Sequence, residues 1–414
     1  MSKNTKNSFI EVSAKEQNPN YEKLIAREKP MFQSSVELRT PFERDYTRIL
    51  HSTAFRRLKH KTQVFYNIES DHICTRMEHV WHVESVSSTI AKWLGLNEEL
   101  TRTISVGHDL GHAPFGHYGE SVINKLHLQH LNSKFWHERN SLYFVDNVEL
   151  LPDRNNNDKN LNLTYAVRDG IISHCGEKDI NQIKPRSEFI DLERDFMLPG
   201  EYNPITYEGC VVKISDKIAY VGRDIEDAIN LGFLTENNLK ELSKIVKLNE
   251  NSVVNTSTIM SNMIVDICTN SSPEKGICLS EEMSDTLNKI KKFNYKYIYD
   301  NERFNSFKKY AEMILNDIFE ILYNAYSEDN LFANLKQKAK KYPTLMNEFM
   351  GFLAKYTLIE NLPVKLQSIS SRCLNNKIYA DLSQKSTYVQ AIFDYIAGMT
   401  DRYCVKVFNE LINY

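Results

Sequence analysis

Apolar residues recur every three or four positions through most of this sequence, which is the spacing of one face of an α-helix. The clearest stripe lies in residues 304–323, where the repeating positions are Phe307, Ala311, Ile314, Ile318 and Leu322. Only 14 glycines and 11 prolines occur among the 414 residues, fewer than the averages of about 7% and 5%. Few positions therefore interrupt these runs, and the pattern predicts an all-α protein.

Capping residues mark several of the predicted helix ends. A helix over residues 76–94 should stop at Gly95, because glycine readily adopts the left-handed conformation that closes a helix. The next helix should begin after Asn97 as N-cap and end at His108.

Further helices are predicted over residues 119–128, 134–151 and 208–230, with an asparagine-rich loop at 153–162. All of these segments precede the change in composition at about Gly232, beyond which the sequence contains no histidine.

This change in composition divides the chain into three predicted regions. Residues 1–35 form an N-terminal arm whose first 25 or so residues, rich in Lys, Asn and Ser, are expected to be disordered or loosely attached. Residues 36–232 form the core, and residues 233–414 form a helical accessory region.

Composition and charge narrow the class of protein. The apolar share of 42% and the charged share of 25% are those of a globular protein. A formal net charge of −3 gives the whole molecule no bulk attraction for nucleic acid or for an anionic membrane surface. The sequence contains neither a run of about 18 apolar residues nor an apolar N-terminal segment, so we expect no membrane partner and a cytoplasmic location.

Cysteine and histidine are placed very differently along the chain. The seven cysteines are scattered and never form a Cys-x-x-Cys pair, so we interpret them as reduced thiols. All twelve histidines precede residue 175, and nine of them lie between His72 and His137. Ligand and acid–base chemistry is therefore expected in the N-terminal half.

Residues 107–120 concentrate the candidate chemistry and read Gly-His-Asp-Leu-Gly-His-Ala-Pro-Phe-Gly-His-Tyr-Gly-Glu. His108 and Asp109 are adjacent, so on a helix their side chains diverge by about 100°, and both can bind one cation only near a helix end. The glycines and the proline that follow provide such an end. We expect three further side chains to turn back towards the same point, namely His112, His117 and Glu120.

Two helices outside this stretch carry further candidates, each with an ordinary structural alternative. His79 and His82 lie three residues apart on one face, which suits metal ligands but also a surface or hydrogen-bonded core pair. Asp216 lies between Ile214 and Ile218, so its carboxylate needs a partner, either a bound cation or an arginine.

The segment 36–65 is strongly basic. Its cations could form a phosphate-binding face, and a solvated helix with internal ion pairs is the alternative. These residues are Arg39, Arg44, Arg48, Arg56, Arg57, Lys59 and Lys61.

The order of these candidates resembles a known superfamily. His79 is followed after 29 residues by the His108–Asp109 pair, and Asp216 comes 107 residues after Asp109, as in the HD superfamily of metal-dependent phosphohydrolases. Five motifs resemble more specifically those of the deoxynucleoside triphosphate triphosphohydrolases, the dGTP triphosphohydrolase family. They are Arg-Thr-Pro-Phe-Glu-Arg-Asp, Phe-Arg-Arg-Leu-Lys-His-Lys-Thr-Gln-Val-Phe, the stretch from His108 to Glu120, Ile-Ser-Asp-Lys-Ile-Ala-Tyr, and Asp-Tyr-Ile-Ala-Gly-Met-Thr-Asp-Arg-Tyr.

The resemblance covers residues 36–232 and 390–410, which implies an HD-domain core on which the C-terminal segment packs. It implies roles for twelve residues, carried over position by position. The implied metal ligands are His79, His108, Asp109 and Asp216, for a divalent ion such as Mg²⁺ or Mn²⁺. The implied acid–base residues are His117 and Glu120, with His137 facing the phosphates. The implied substrate contacts are Arg76 and Lys217 for phosphate, and Gln63, Tyr220 and Asp224 for deoxyribose.

The implied activity is hydrolysis of a deoxynucleoside triphosphate, dGTP first, to deoxynucleoside and tripolyphosphate, by a homo-oligomer that is often a hexamer in the family. Two departures leave the base preference open: residues 74–79 read Cys-Thr-Arg-Met-Glu-His where the family often has Arg-Thr-Arg-Leu-Thr-His, and Arg223 stands where many members carry histidine. The alternatives are an HD-type nucleotidase or phosphodiesterase acting on another nucleotide, and a non-catalytic sensor of nucleotides or single-stranded nucleic acid.

Overall fold

The computed structural model of the chain describes residues 5–32, 36–66, 72–174, 181–246 and 255–413. Their α-helices are α1 (Tyr21–Leu24), α2 (Pro41–His51), α3 (Thr53–Arg57), α4 (Arg76–Leu94), α5 (Glu98–Gly107), α6 (Gly116–Leu131), α7 (His137–Tyr143), α8 (Tyr165–Ser173), α9 (Tyr207–Asn230), α10 (Glu236–Ile245), α11 (Thr256–Asn270), α12 (Glu281–Asn294), α13 (Asn305–Tyr323), α14 (Leu331–Lys338), α15 (Pro343–Tyr356), α16 (Val364–Arg372), α17 (Lys385–Ala397) and α18 (Asp401–Ile412). The prediction of an all-α fold is confirmed.

Short elements complete the described structure. Two antiparallel pairs of strands are present, β1 (Leu150–Pro152) with β2 (Asp158–Asn160), and β3 (Gln182–Ile183) with β4 (Ile277–Cys278). Single turns of 3₁₀-helix lie at Ile10–Val12, Leu58–His60, Glu302–Phe304 and Ile359–Asn361, and π-helical turns at Phe144–Val148 and Tyr295–Tyr299.

The predicted caps of the helices that carry the first candidates are confirmed. Gly95 ends α4 with φ 84°, in the left-handed region that glycine tolerates. The Asn97 side chain accepts a hydrogen bond from the backbone N–H of Leu100 at 3.1 Å and so caps α5. Because α5 stops at Gly107, His108 stands at the C-cap position.

The helix predicted over residues 134–151 is corrected. Helix α7 covers only His137–Tyr143, continues as the π-helical turn Phe144–Val148, and gives way to β1. The backbone of residues 150–152 pairs with that of residues 158–160 across the asparagine-rich loop, and this pairing replaces the helical hydrogen bonds.

The chain forms two compact units, each built from separated segments. Unit 1 comprises Met1–Leu50, Gln63–Asp109 and Asn162–Asn305, and unit 2 comprises His51–Thr62, Leu110–Leu161 and Ser306–Tyr414. The predicted linear boundaries near residues 35 and 232 stay a prediction about domain organisation.

Unit 1 is centred on α4, α5, α8 and α9, which pack on one another along buried aliphatic faces. Ile90 on α4, Ile104 on α5 and Ile218 on α9 are fully buried. At Gly170 of α8, an added Cβ would lie 2.5 Å from the Ile104 side chain, so only glycine allows α5 and α8 to approach this closely.

Unit 2 is centred on the packing of α6 against α17 and of α15 against α14, α16, α17 and α18. Aromatic rings fill this core: Phe319 of α13 stacks on Phe393 of α17 with centroids 5.1 Å apart. Asp401, at the start of α18, accepts the backbone N–H groups of Thr62 and Phe115, each at 2.8 Å.

The expectation of a disordered or loosely attached N-terminal arm is wrong for the part of it that the structure describes. Phe9 and Ala14 are buried in unit 1. The backbone N–H of Asn7 donates to the carbonyl of Trp93 at 2.9 Å, and that of Ala14 donates to the carboxylate of the buried Glu208 at 2.9 Å. These partners are distant in sequence, so the contacts could not be predicted from the polar composition of the N-terminal segment.

None of the helices in the described ranges is both long enough and apolar enough to cross a membrane.

Candidate functional site

Three helices of unit 1 bring His79, His108, Asp109 and Asp216 together. Helix α4 carries His79, the C-terminal end of α5 carries the His108–Asp109 pair, and α9 carries Asp216. His79 Nε2 lies 3.0 Å from Asp216 Oδ1, and His108 Nε2 lies 3.9 Å from both Asp109 Oδ2 and Asp216 Oδ1. The mutual packing of α4, α5 and α9 therefore produces a group of imidazoles and carboxylates in which Asp216 is partly buried and the other three residues are buried.

His108 is in the state that metal binding requires. Its Nδ1 lies 2.6 Å from the carbonyl oxygen of Ser105 and donates a hydrogen bond to it. The proton of the neutral ring is therefore on Nδ1, and the lone pair is on Nε2. The residue is 1% exposed, and Nε2 has no hydrogen-bond partner among the described residues. Burial lowers the pKa of His108 to about 4, so the ring is neutral at physiological pH. A buried, unpartnered imidazole nitrogen beside two carboxylates fits a metal ion.

The buried His79 and the partly buried Asp216 form a tightly coupled pair. Burial lowers the pKa of His79, but the hydrogen bond and the charge of Asp216 outweigh burial and raise it. Burial raises the pKa of Asp216, whereas the hydrogen bond and charge of His79 lower it below its usual range. The raised pKa of His79 and the lowered pKa of Asp216 favour a protonated imidazole beside a carboxylate, and a cation can take the place of that proton.

The predicted phosphate contact Arg76 lies beside this group. It begins α4, is 2% exposed, and donates from Nη1 to Asp109 Oδ2 at 2.6 Å. A guanidinium has five N–H donors in a planar fork, so an arginine that donates to one carboxylate can also donate to further oxygen acceptors.

The other predicted substrate contacts also lie in unit 1. Lys217, Tyr220 and Asp224 follow Asp216 along α9, the first two half-buried and Asp224 buried. Asp224 Oδ2 accepts a hydrogen bond from the Tyr299 hydroxyl at 2.5 Å. Gln63 is half-buried, and its Oε1 has no hydrogen-bond partner among the described residues.

Unit 2 contains a second cluster, formed by His112, His117, Glu120 and His137, with ligand atoms within 4.8 Å of one another. Glu120 is its centre. Glu120 Oε2 lies 3.3 Å from His117 Nδ1 and 3.1 Å from His137 Nδ1, and Oε1 accepts the backbone N–H of His137 at 2.9 Å. His112, His117 and Glu120 thus meet one another in this unit. That they turn to the same point as His108 and Asp109 stays a prediction.

The two imidazoles on Glu120 differ in exposure. The His117 side chain is 72% exposed, whereas that of His137 is 10% exposed. Burial raises the pKa of Glu120, but the charge of His137 and the hydrogen bonds from His117 and His137 hold it well below its usual range. The carboxylate is therefore ionised at neutral pH and stabilises a protonated imidazole.

The turn before α6 is held by close backbone contacts. Phe115 has φ 62°, an uncommon value for a residue other than glycine. Asp401 accepts its N–H, and the buried Lys61 donates to the carbonyls of His112 and Ala397. These contacts hold the turn that precedes α6, the helix in which His117 is the second residue.

We expect Gly119→Ala to destabilise unit 2. An added Cβ at Gly119 would lie 1.9 Å from the Pro114 carbonyl oxygen, so the turn would have to move, at a cost of about 1–3 kcal/mol. Chemical denaturation of the purified variant measures this loss. Gly351→Ala is the matched control, because an added Cβ there meets no atom within 4 Å. It should leave stability unchanged or raise it by up to about 1 kcal/mol, and an equal loss in both variants would contradict the steric explanation.

The basic segment follows the ion-pair alternative in part. Its residues divide between the two units. Arg39 and Arg44 pair with Glu37, Arg57 pairs with the buried Glu149 at 2.6 Å, and Lys61 is buried against backbone carbonyls. At least Lys61 and Arg57 thus have structural partners rather than solvent.

One histidine of the metal group was not assigned from the sequence. His174, at the end of α8, lies with its ring centroid 4.8 Å from that of His108. His82 was weighed beside His79, but it belongs to no group of clustered metal-ligand side chains among the described residues. The apolar positions Val167, Ile171 and Ile172 of the helix that ends at His174 were a signal in the sequence that could have pointed to it.

Comparison with known proteins shows the families to which the chain is similar. The HD domain model matches residues 76–221, a span that contains all four candidate metal ligands. The phosphohydrolase-associated domain model matches residues 277–347 and 357–410. HD domains are all-α and metal-dependent.

Similar proteins cover most of the chain. A protein of Caldanaerobacter subterraneus subsp. tengcongensis is 32% identical over 381 residues, 92% of this chain and 87% of that protein. One of Desulfatibacillum aliphaticivorans is 36% identical, over 78% of this chain and 85% of its own length, and one of Rickettsia bellii is 29% identical, over 90% and 92%. Each is named deoxyguanosinetriphosphate triphosphohydrolase-like protein. The chain is therefore an HD-domain phosphohydrolase and belongs to the family of deoxyguanosinetriphosphate triphosphohydrolase-like proteins.

Proposed function

We propose that the protein hydrolyses deoxynucleoside triphosphates, dGTP first, to the deoxynucleoside and tripolyphosphate. The observation that carries this proposal is the largely buried group of His79, His108, Asp109 and Asp216, in which His108 presents an unprotonated Nε2 beside two carboxylates. The names of the relatives, which refer to triphosphohydrolysis of deoxyguanosine triphosphate, support the choice of substrate.

The four residues of this group would hold one divalent ion, Mg²⁺ or Mn²⁺. When bound, such an ion supplies Lewis acidity, which polarises a phosphoryl oxygen and makes a water molecule more acidic. The protein supplies the rest: it orients the nucleotide, neutralises the triphosphate and provides the proton for the leaving group.

Arg76 and Lys217 are the proposed phosphate contacts. A triphosphate carries about four negative charges, so its binding in a partly buried place requires cations with several N–H donors. Arg76 is already fixed by Asp109, which would keep its guanidinium oriented before substrate arrives.

The reaction breaks the bond between the α-phosphorus and the 5′ oxygen of the sugar. The oxygen of water becomes attached to the α-phosphorus, and the 5′ oxygen takes a proton. A positioned acid is needed because an alkoxide is a poor leaving group, and we assign this role to His117, oriented by the ionised Glu120. His137, which shares Glu120, is proposed to face the phosphates.

We expect the enzyme to discriminate against ribonucleotides. Gln63, Tyr220 and Asp224 are the proposed sugar contacts, and a tyrosine packed against the 2′ carbon offers a 2′ hydroxyl neither space nor a partner. Burial of that hydroxyl would cost about 1–3 kcal/mol, or roughly 5- to 160-fold in kcat/KM. Competing hydrolysis of dGTP and GTP measures the ratio, and Tyr220→Ala should narrow it. Equal kcat/KM values for the two nucleotides in the unaltered enzyme would contradict the assignment.

The substrate assignment is tested by incubating the purified chain with each of the four deoxynucleoside triphosphates and Mg²⁺ or Mn²⁺, and by resolving the products chromatographically. Deoxynucleoside with tripolyphosphate supports the proposal. Release of orthophosphate or pyrophosphate would instead identify another HD-type nucleotidase. Binding without any product would identify a sensor of nucleotides or single-stranded nucleic acid.

We further propose that the protein is a homo-oligomer, with a hexamer as the expected state. Light scattering in solution measures the number of subunits.

A further inference from the structure

His174 is a buried histidine of unit 1 to which the proposed reaction assigns no role. It stands at the C-cap of α8 and is 1% exposed. Its ring meets that of His108 with centroids 4.8 Å apart and an interplanar angle of 76°. Ligand atoms of His108, Asp109 and His174 lie within 4.8 Å of one another.

The hydrogen bonding of His174 repeats that of His108. His108 Nδ1 lies 2.6 Å from the carbonyl oxygen of Ser105, and His174 Nδ1 lies 2.6 Å from that of Ile171, in each case three residues earlier at the end of a helix. A carbonyl can only accept, so both rings carry a proton on Nδ1, and Nε2 is the nitrogen that can bind a metal ion in each. This is the tautomer in which a second-shell carbonyl fixes a metal-binding histidine.

The group formed by His108, Asp109 and His174 overlaps the group formed by His79, His108 and Asp216. His108 belongs to both. Because its Nδ1 is engaged with Ser105, only Nε2 can bind a metal, and a single lone pair binds a single ion. The two groups therefore describe one coordination site rather than two.

We propose that His174 is a fifth protein ligand of this site, which it completes with His79, His108, Asp109 and Asp216. The inference rests on the metal site of the proposed function and extends it. The independent observation behind it is the buried Nε2 of His108, which has no hydrogen-bond partner among the described residues and therefore requires an electrophile where the two groups overlap.

A set of three imidazoles and two carboxylates also selects among metals. Mg²⁺ prefers oxygen ligands and retains several waters, whereas imidazole nitrogen favours first-row transition ions. The site should consequently bind Mn²⁺ more tightly than Mg²⁺, and His174 should contribute to that preference.

The test separates a ligand from a structural histidine. His174→Asn keeps an N–H donor near the position of Nδ1, and so the bond to Ile171, but it removes Nε2. Full-length protein stripped with EDTA is titrated with Mn²⁺ by calorimetry in the absence of nucleotide, and its melting temperature is recorded with and without Mn²⁺. His82→Asn, a half-buried histidine of α4 that belongs to neither group, is the control.

We expect His174→Asn to lower Mn²⁺ affinity at least tenfold, to reduce the Mn²⁺/Mg²⁺ affinity ratio, and to shrink the rise in melting temperature that Mn²⁺ produces. The melting temperature in EDTA should stay close to that of the unaltered protein. Unchanged Mn²⁺ affinity would overturn the proposal, as would a loss of stability in EDTA with an unaltered response to Mn²⁺.

Pulsed electron paramagnetic resonance of the unaltered protein loaded with Mn²⁺ provides a measurement that needs no variant. Three coupled imidazole nitrogens are expected, and two would overturn the proposal. Both readouts are independent of substrate. If the protein binds Mn²⁺ through His174 but releases no tripolyphosphate, only the proposed function fails; tripolyphosphate release with two coupled nitrogens rejects the inference alone.

Discussion

His108→Asn should leave the protein folded but unable to bind Mn²⁺ or to hydrolyse a deoxynucleoside triphosphate. The variant keeps an N–H donor for the Ser105 carbonyl and removes the Nε2 that lies 3.9 Å from the carboxylates of Asp109 and Asp216. Loss of this nitrogen leaves the coordination shell incomplete where two sets of ligands meet. Metal content by mass spectrometry and turnover of dGTP measure the two losses, which should occur together.

Asp109→Ala provides the second half of this prediction. It removes a carboxylate ligand and also a charge partner of the buried Arg76, so metal binding and turnover should again vanish together. Because a buried guanidinium is costly when it loses an ion pair, this variant should also be less stable than His108→Asn. His82→Ala, on the same helix as His79, should retain both metal and turnover. Stoichiometric metal with normal turnover in either ligand variant would contradict the assignment of the metal site.

His117→Ala should lower turnover by about two to four orders of magnitude while metal and substrate affinity stay nearly unchanged, because proton donation matters only in the transition state. The structure makes this variant a clean test. The His117 side chain is 72% exposed, so its removal should change stability by no more than about 0.5 kcal/mol. Single-turnover kinetics and equilibrium binding of a non-hydrolysable nucleotide separate the two effects.

Glu120→Gln tests the partner of that acid. It removes the negative charge that stabilises a protonated imidazole, so we expect lower turnover and a basic limb of the pH–rate profile that moves to lower pH. Glu120 also accepts the backbone N–H of His137, so some stability should be lost as well. If His117→Ala and Glu120→Gln both turn over dGTP at the normal rate with an unaltered profile, the acid lies elsewhere, and His137 becomes the first candidate.

Much of the fold could be predicted because its determinants are local. The caps at Gly95 and Asn97 follow from backbone conformation and short-range hydrogen bonds, and both were correct. The end of α5 followed from the same signals, and it places His108 and Asp109 where adjacent side chains can serve one ion. Local chemistry was thus enough to predict the helical class and the position of the central pair.

The features that could not be predicted depend on distant partners. The N-terminal segment is anchored because the Ala14 amide meets the carboxylate of Glu208, which is 194 residues away. Lys61 could not be distinguished in the sequence from the other cations of the basic segment, yet it is buried and donates to the carbonyl of Ala397. His174 was passed over because spacing in sequence gives no indication that α8 ends beside α5.

Hydrolysis of dGTP in ¹⁸O-labelled water tests the central claim most directly. If water attacks the α-phosphorus and the bond to the 5′ oxygen breaks, mass spectrometry should find one ¹⁸O atom in the tripolyphosphate and none in the deoxyguanosine, and His108→Asn should give no labelled product. Label in the deoxyguanosine, or formation of dGMP with pyrophosphate, would contradict the proposed reaction.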